Sequence, residues 1–418
     1  MLDIRFIREN REAVEKSAQA KGFKVNLKHL LELDDQRRRL LSEIEKLRAE
    51  RNELSEKLKA GKPSEKEITL GKALKAKLHK LELELDPLEV EYQSLLKAVP
   101  NVIPDDTPLG GEEANREEKQ WGETKPKDFE PIDHVSWGEA RGYLDFERGA
   151  KVAGHKFYFV SGPLVELQLA VWQLGLALAA KHGFTPMLVP HLVNTRTLEG
   201  AGFSAKDTGG ERQIYKIEDE DLNLIATAEI PLTGFHADEI LAEAELPKLY
   251  AGLSPAYRLE AGAYGKHAKG LYRVHQFEKL ELYVFCKPED SESWHQKLVA
   301  IEEELCRALE IPYRLVRIAA GDLGAPAYKK FDVEYWSPVD QIYRELMSCS
   351  NVTDYQTRRL NIRYKAADGQ MAYLHSLNGT AAAISRIFIA LIENHQNKDG
   401  EVKIPKALQT YLNGRTTL

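Results

Sequence analysis

The sequence predicts an α+β protein in which a long helical hairpin precedes a larger unit with antiparallel strands. Over residues 30–99 apolar side chains recur in steps of three and four, which is typical of a coiled coil. Between Leu271 and Phe285 the pattern changes to the alternation of a strand. A stretch rich in turn-forming residues, 100–111, separates the two patterns. We therefore predict two domains, residues 1–105 and residues 106–418.

The predicted hairpin has two apolar seams, one over residues 30–58 and one over residues 74–99. A glycine and a proline between the seams end one helix, and Ser64 with Glu67 forms the capping-box pattern that begins the next. Two helices joined by so short a turn form an antiparallel coiled coil. Pro87 interrupts the second seam and predicts a kink or a break there.

The hairpin carries many basic side chains outside its seams, including Arg38 and Arg48, with acidic side chains between them. This pattern alone allows two interpretations: a solvated coiled coil with surface ion pairs, or a surface that binds RNA phosphates. The whole chain has a net charge of -7, so any RNA binding must come from a local basic surface.

The composition is that of a soluble protein, with 418 residues of which 43% are apolar and 29% charged. Charged residues begin at Asp3, so no signal peptide is predicted, and the most apolar stretch, residues 164–180, is too polar for a good membrane span. The three cysteines show no CxxC spacing. They predict a reducing, cytoplasmic environment with neither a disulfide framework nor a zinc site.

Two predicted strands enclose a glycine-rich basic loop, residues 261–270. Alternation places Arg258 and Glu260 on one face of the first strand, and Phe277 and Glu281 on one face of the second. A wet outer sheet face with ion pairs remains the alternative to a binding site. Neither GxGxxG nor GxxxxGK[ST] occurs, so any nucleotide is bound without a Rossmann or P-loop motif.

Several segments together resemble bacterial-type seryl-tRNA synthetases, which are class II aminoacyl-tRNA synthetases. The chain also lacks the HIGH-type and KMSKS-type signatures of class I enzymes. The likeness covers nearly the whole chain, the hairpin included. The segments are motif 1 at residues 183–190, the TxE loop at 227–229, motif 2 at 258–281, ExxSCSN at 345–351, and motif 3 from residue 377 to Arg386.

The resemblance implies a mixed, mainly antiparallel catalytic sheet flanked by helices, and a homodimer. It implies that the enzyme activates L-serine with ATP to seryl-adenylate and transfers serine to the 3′ end of serine tRNA. ATP is then a substrate and Mg²⁺ the expected cofactor, with no zinc and no membrane partner. Whether selenocysteine tRNA, which also has a long variable arm, is a second substrate stays open.

The resemblance assigns the catalytic roles to Arg258, Arg386 and Glu345. An internal salt bridge is the alternative for Arg386, since a buried arginine needs a partner. Glu345 and Ser348 would bind Mg²⁺, although regular alternation places them on opposite faces, so we expect a bulge or a backbone contact. The expected ATP-binding residues are Arg258, Glu260, Val274, Phe277, Glu345, Leu346, Met347, Ser348 and Arg386.

The resemblance also assigns residues to serine and to tRNA. Lys266 and Lys269 stand where the family usually has arginines, and Met347 and Thr380 where it commonly has serine. A lysine lacks the forked geometry of an arginine, which changes the contacts that the motif 2 loop can make. The expected serine-binding residues are Thr227, Glu229, Arg258, Glu281 and Thr380. The expected tRNA-binding residues are Arg38, Arg48 and Arg51 in the hairpin, with Lys266 and Lys269 in the motif 2 loop.

Three rival functions remain at this point. The first is a related enzyme that passes an activated amino acid to another acceptor, which would be expected to lack the hairpin. The second is an inactive scaffold, which would be expected to have lost Arg258, Glu281, Glu345 or Arg386. The third is a class II enzyme for another amino acid, against which the TxE loop, the hairpin and the RVHQF segment argue together.

Overall fold

A computed structural model describes residues 1–59, 64–124, 127–204, 213–260 and 270–418. These residues form two compact units, Met1–Val102 and Ile103–Leu418. The first unit contains helices, and the second combines helices with strands. The prediction of an α+β fold is confirmed.

The first unit is an antiparallel helical hairpin with two short helices before it. Its helices are α1 (Ile4–Glu9), α2 (Arg11–Ala20), α3 (Leu27–Lys59) and α4 (Glu65–Ala98). The predicted seams meet, since Ile44, Leu47 and Leu54 of α3 pack in one cluster with leucines 74, 78 and 81 of α4. Burial of these seams stabilises the hairpin, because isolated helices gain most of their stability from packing of an apolar face.

Local signals mark the start and course of α4 as the sequence predicts. The Ser64 hydroxyl accepts a hydrogen bond from the Glu67 N–H at 3.3 Å, and the Glu67 carboxylate accepts one from the Ser64 N–H at 2.8 Å. This reciprocal pair is a capping box. Pro87 lies inside α4 without ending it, so the break that we considered does not occur. Ion pairs across the hairpin flank this position, including Arg37 with Glu89.

The second unit is built around an eight-stranded sheet in the described residues, with strand order β1-β10-β11-β12-β15-β9-β8-β4. Neighbouring strands are antiparallel except for β4 and β8, which are parallel. Smaller sheets join β14-β13-β7, β2-β3 and β5-β6. The strands are β1 (Arg116–Trp121), β2 (Leu144–Asp145), β3 (Phe159–Val160), β4 (Thr185–Leu188), β5 (Leu192–Val193), β6 (Asn223–Leu224), β7 (Ile240–Ala242), β8 (Lys248–Tyr257), β9 (Gln276–Cys286), β10 (Tyr313–Arg317), β11 (Lys329–Ser337), β12 (Ile342–Thr353), β13 (Arg363–Lys365), β14 (Met371–Tyr373) and β15 (His375–Ala383).

Helices of the second unit pack against the main sheet. The helices are α5 (His134–Ala140), α6 (Phe146–Ala153), α7 (Pro163–Lys181), α8 (Thr195–Gly200), α9 (Glu229–Gly234), α10 (Ser291–Ala308), α11 (Tyr355–Arg359), α12 (Ile384–His395) and α13 (Lys406–Gln409). Residues of α7, α10 and α12 share one core cluster with β9, β11 and β12. All three cysteines, Cys286, Cys306 and Cys349, are buried in that core as free thiols.

Helix α7 is long and apolar enough, by length and composition, to cross a membrane, and 39% of its most apolar window is buried within the described part of the chain. It packs on the sheet through Leu164, Leu167 and Val171, as a core helix does. On its other side Val165 and Leu169 are exposed. The apolar composition is therefore weak evidence for a membrane span.

The predicted hairpin of strands is present as β8 and β9, which pair antiparallel from Lys248–Phe285 to Tyr257–Gln276. Leu280, Leu282 and Val284 face the main core, as alternation predicts. The other face is not a wet surface throughout, because Tyr283 and Phe285 belong to a second buried cluster. That face therefore leads from a buried end toward a polar cleft.

Candidate active site

A polar cavity of about 300 Å³ opens on the face of the main sheet that carries Glu281, between β9, β11, β12, β15 and the start of α12. Ten of the residues predicted for the site line it. Four strands and a helix N-terminus thus converge on one space. The lining residues are Arg258, Glu260, Tyr272, Arg273, Val274, Phe277, Lys279, Lys330, Glu345, Leu346, Met347, Ser348, Thr380, Ala383, Ser385 and Arg386.

Arg258 follows the end of β8 and lies at the wall of the cavity. Its backbone N–H donates to the His275 carbonyl at 2.9 Å, which keeps the chain in register just past the strand. Its guanidinium lies 5.1 Å from the centre of the Phe277 ring, and its Nε donates to the Ala226 carbonyl at 3.3 Å. Among the described residues no carboxylate lies within ion-pair distance of it.

Burial lowers the pKa of the Arg258 guanidinium, and the positive charge of Arg386 lowers it further. Arginine stays protonated despite such shifts. The cavity therefore contains a cation that the protein itself does not neutralise through a direct ion pair. Such a group favours binding of an anion, because the ligand supplies the missing partner.

Glu260 takes the left-handed backbone conformation, with φ of 44°, which is uncommon outside glycine. Its carboxylate lies 3.6 Å from the Arg273 guanidinium. Strained backbone of this kind clusters at ligand-binding sites, where the surrounding structure holds it. Here Glu260 lines the same cavity as Phe277.

Arg386 lies in the first turn of α12 and pairs with Glu345, with 2.9 Å between Nη1 and Oε1. The ring of Tyr272 covers the guanidinium at 4.8 Å. Burial would raise the pKa of the Glu345 carboxyl, but Arg386 and Lys330 outweigh that effect and hold it at about 2. The internal salt bridge considered for Arg386 is therefore present, although the Glu345 side chain remains 38% exposed toward the cavity.

A β-bulge brings Glu345 and Ser348 to the same face of β12. Glu345 lies opposite Glu334 and Met347 opposite Val333, which leaves Leu346 as the extra residue. The bulge shifts the alternation by one position, so that Ser348 points to the same side as Glu345. This resolves the conflict between regular alternation and a shared role for the two residues.

The residues between these two contribute in another way. The side chains of Leu346 and Met347 are buried in the core cluster, so they offer their backbone to the cavity. Val274 is also 2% exposed and meets the cavity at its edge. Opposite Ser348 lies Asp332, whose carboxylate is 3.0 Å from the Lys330 ammonium.

The predicted serine-binding residues form a second polar group beside the cavity. Glu281 lies opposite Thr380 on β15 and pairs with the ammonium of Lys279. Burial raises the pKa of the Glu281 carboxyl. Thr227 contributes a hydroxyl to this group, where it accepts a hydrogen bond from the Glu229 N–H at 3.3 Å.

Two side-chain amides donate hydrogen bonds to the carboxylate of Glu229. Gln356 donates to its carboxylate at 2.7 Å and Asn378 at 3.0 Å. Gln356 is itself fixed, because its oxygen accepts hydrogen bonds from Tyr283 and from Ser376. Burial and the nearby Glu281 charge raise the pKa of Glu229 to about 7. The network therefore holds a carboxylate that gains stability from a neighbouring cation.

Sequence reasoning missed several residues of the site. Lys279 lies on the same alternating face as Phe277 and Glu281, and that period was a usable signal. Lys330 lies on β11, and no signal in the sequence showed that β11 would lie next to β12. Tyr272 lies within motif 2, but the predicted alternation placed it on the face opposite Phe277. Gln356 lies outside the motifs, so no pattern identified it. The missed residues are Tyr272, Arg273, Lys279, Lys330, Gln356, Asn378, Ala383 and Ser385.

Three of the residues predicted to bind tRNA belong to the first unit. Arg38, Arg48 and Arg51 are exposed on α3. Arg48 pairs with Glu82 of α4 at 2.8 Å, whereas Arg38 and Arg51 make no ion pair with any described residue. Lys266 and Lys269 lie outside the described residues.

The arrangement is suited to binding a polyanion and an ammonium side by side. Three arginines and two lysines line the cavity, and the carboxylates of Glu229 and Glu281 belong to the polar group beside it. Electrostatic stabilisation by preorganised cations is the main way in which proteins assist transfer of phosphate-linked groups.

Comparison with known proteins matches both units to families. Residues 1–103 match the Seryl-tRNA synthetase N-terminal domain, and residues 215–395 match the tRNA synthetase class II core domain (G, H, P, S and T). Similar proteins include the serine--tRNA ligase of Dictyoglomus turgidum, 45% identical over 99% of this chain and 98% of its own length. The serine--tRNA ligase of Rubrobacter xylanophilus is 46% identical, with the same coverage of both chains.

Solved structures agree with these matches. Seryl-tRNA synthetase from Pyrococcus horikoshii complexed with ATP has a TM-score of 0.89 and 40% identity, over 100% of this chain and 99% of that one. Cytoplasmic serine-tRNA ligase from Naegleria fowleri in complex with AMP has a TM-score of 0.85 and 31% identity, over 100% of this chain and 98% of that one.

Proposed function

The chain belongs to the seryl-tRNA synthetases, class II enzymes that ligate serine to tRNA with ATP as substrate, and we propose how its own residues perform this reaction. In the proposal, the serine carboxylate attacks the α-phosphate of ATP, seryl-adenylate forms and pyrophosphate leaves. The seryl group then passes to the 3′ end of serine tRNA. We place the reaction in the cytoplasm, where the buried free thiols would stay reduced.

The observation that carries the proposal is the guanidinium of Arg258, which has no ion-pair partner among the described residues and borders the cavity. Two anions, a carboxylate and a phosphate, must approach each other for the first step. A guanidinium can donate to an oxygen of each anion through its fork of N–H groups. Arg258 would therefore bind both reactants and stabilise the charge that develops between them.

The ATP would lie along the cavity from Phe277 to Arg386. The Phe277 ring offers a face for stacking of adenine, and Glu260 beside it would accept a hydrogen bond from the adenine amino group. Val274 would contact the base through its backbone. Arg386 would turn from Glu345 to the terminal phosphate, and the backbone of Leu346 and Met347 would border the phosphates.

Glu345 and Ser348 fit a hard cation, because the bulge in β12 gives them one face and both offer oxygen. We propose that they would hold Mg²⁺, with Asp332 nearby. When bound there, Mg²⁺ would neutralise part of the phosphate charge. The proposal requires no zinc.

Serine would bind with its ammonium against Glu229, Thr227 and Glu281. Its hydroxyl would lie near Thr380, which pairs with Glu281 across β15 and β9. A site built to hydrogen-bond a hydroxyl rejects the analogue that lacks it, because buried polar groups would remain unpaired. The ammonium of Lys279 pairs with Glu281 in the structure. The ammonium of bound serine would therefore replace that of Lys279 as the partner of Glu281.

The hairpin of α3 and α4 would bind the long variable arm of serine tRNA. Arg38 and Arg51 are exposed and lack an ion pair within the described chain, so they are available to phosphates. Arg48 would first leave Glu82. Lys266 and Lys269 of the motif 2 loop would meet the acceptor end. Selenocysteine tRNA is a second candidate substrate, because its variable arm is also long.

We propose a homodimer through α7 and β4. Val165 and Leu169 lie one helical turn apart on α7 and are 42% and 48% exposed, and Leu188 on β4 is 83% exposed. Exposed apolar side chains grouped in this way are typical of a subunit interface. Both segments precede the core of the site in the chain, and β4 pairs directly with β8, the strand that leads to Arg258.

Arg258→Ala should reduce serine-dependent pyrophosphate exchange by at least about 100-fold, because a preorganised donor to the developing charge is lost. Arg258→Lys should recover only a small part, since an ammonium cannot fork two oxygens. The control is Arg307→Ala, on α10 away from the cavity, which should exchange normally. Exchange near the wild-type rate in Arg258→Ala would refute the central role of this guanidinium.

The KM for serine should fall by about tenfold between pH 6 and pH 8, because Glu229 has a pKa of about 7 and binds an ammonium only when ionised. Glu281, Lys279 and Arg258 face the same carboxyl and set its titration. The measurement is steady-state exchange at several pH values. Glu229→Gln should weaken serine binding at all pH values and flatten the profile; an unchanged profile in that variant would assign the titration to another group.

Deletion of residues 35–95 should leave serine-dependent pyrophosphate exchange intact and abolish charging of serine tRNA, because the hairpin binds tRNA and contributes nothing to activation. Transfer of labelled serine would be measured to serine tRNA with and without its variable arm. Arg38→Glu with Arg51→Glu should give a weaker form of the same defect. Full charging by the deletion variant would disprove the role assigned to the hairpin.

Leu188→Glu with Leu169→Glu should convert a dimer into a monomer, because two buried charges without partners would oppose association. Sedimentation at micromolar concentration gives the mass of each form. Leu83→Glu, at a leucine of the hairpin that is 59% exposed, should leave the mass unchanged. A wild-type chain that sediments as a monomer would contradict the interface.

A further inference from the structure

Glu302 is a buried carboxyl on the opposite side of the sheet from the cavity. It lies on α10, which packs against β15 and β12, and its exposed fraction is 0%. Neither of its oxygens has a hydrogen-bond partner of good geometry among the described residues. Burying a polar group without a hydrogen-bond partner costs free energy. The presence of such a group in a core therefore calls for an explanation.

The Glu302 carboxyl points at the backbone of β15 directly beneath Thr380. A Cβ at Gly379 would lie 3.1 Å from Glu302 Oε1, so the carboxyl occupies the space that a side chain there would need. The Thr380 N–H lies close enough to favour the ionised form of Glu302. Gly379 thus makes room for the carboxyl to approach the strand.

The strand needs such support at this position because its ladder is interrupted. Thr380 lies opposite Glu281 and Ala382 opposite Leu280, so Ala381 is an extra residue in β15. A bulge disturbs the hydrogen bonds between strands and can redirect a side chain. Here it sets the direction of Thr380, which borders the cavity and faces Glu281.

Burial and the neighbouring charges of Glu281 and Asp332 raise the pKa of Glu302 well above its usual value. Burial thus favours the protonated carboxyl, which has one O–H donor and one acceptor. A glutamine has the same shape with a donor and an acceptor, whereas a leucine has neither.

We propose that Glu302 is a positioning residue for serine selection, which holds the backbone of Thr380 at the bulge of β15 from the far side of the sheet. The inference rests on the proposed function, in which Thr380 senses the serine hydroxyl. Glu302 itself touches no substrate. Its loss would let the bulge relax and move the Thr380 hydroxyl relative to Glu281.

The test compares Glu302→Leu and Glu302→Gln in the full-length enzyme by pyrophosphate exchange with serine, threonine and alanine. Glu302→Leu should raise the KM for serine about tenfold, the order of one buried polar contact, because the carboxyl no longer supports the Thr380 backbone. The preference for serine over both analogues should fall. The KM for ATP should stay within about twofold. Glu302→Gln should restore the serine KM and the preference.

Controls separate positioning from general stability. Leu305→Ala leaves a cavity on the same helix face, and should lower the melting temperature without changing the serine KM. Gly379→Ala would displace the carboxyl and should also raise the serine KM. It serves as the second test if the Glu302→Leu variant does not fold. A serine KM raised equally by Leu305→Ala would overturn the inference.

Thr380→Ala distinguishes failure of this inference from failure of the proposed function. If Thr380→Ala raises the serine KM but neither Glu302→Leu nor Gly379→Ala does, the role of Glu302 is wrong and that of Thr380 stands. If Thr380→Ala leaves the serine KM unchanged, Thr380 does not sense serine, and the inference fails with it.

Discussion

The guanidinium of Arg258 is the group on which the rest of the site depends, because it must remain charged and unpaired in a half-buried place. Backbone hydrogen bonds just past the end of β8 fix its position, and the face of Phe277 covers it without neutralising it. The neighbouring cation Arg386 is compensated by Glu345, which reduces repulsion between the two arginines. Among the residues predicted to bind serine, the Glu229 carboxylate accepts hydrogen bonds from two amides and the Glu281 carboxylate pairs with Lys279.

Irregularities in the sheet decide which residues can act together. A regular β12 would have sent Glu345 and Ser348 to opposite sides, and a regular β15 would have continued its ladder past Thr380. Each strand instead contains one extra residue where it borders the cavity. The sheet supplies rigid positions, and the bulges adjust the direction of single side chains within it.

Much of the fold was predictable because its signals are local. The seams of α3 and α4, the capping box at Ser64 and the alternation of β9 each depend on neighbours in the chain. The likeness to the family supplied most of the site, including Arg258 and Glu345, and the cavity brings these together. Lys330 and Gln356 were not predictable, since they reach the site through the order of strands and through buried hydrogen bonds. Glu302 was not predictable for the same reason, because Thr380, the residue that it supports, is 78 residues away in sequence.

The burial of the cysteines has a practical consequence for studying this molecule. All three lie in the second unit, and burial raises the pKa of each thiol, so the reactive thiolate is scarce in the folded state. The first unit contains no cysteine. Reaction with a thiol reagent therefore reports opening of the core of the second unit, and its rate can be measured in the unmodified chain without a contribution from the hairpin.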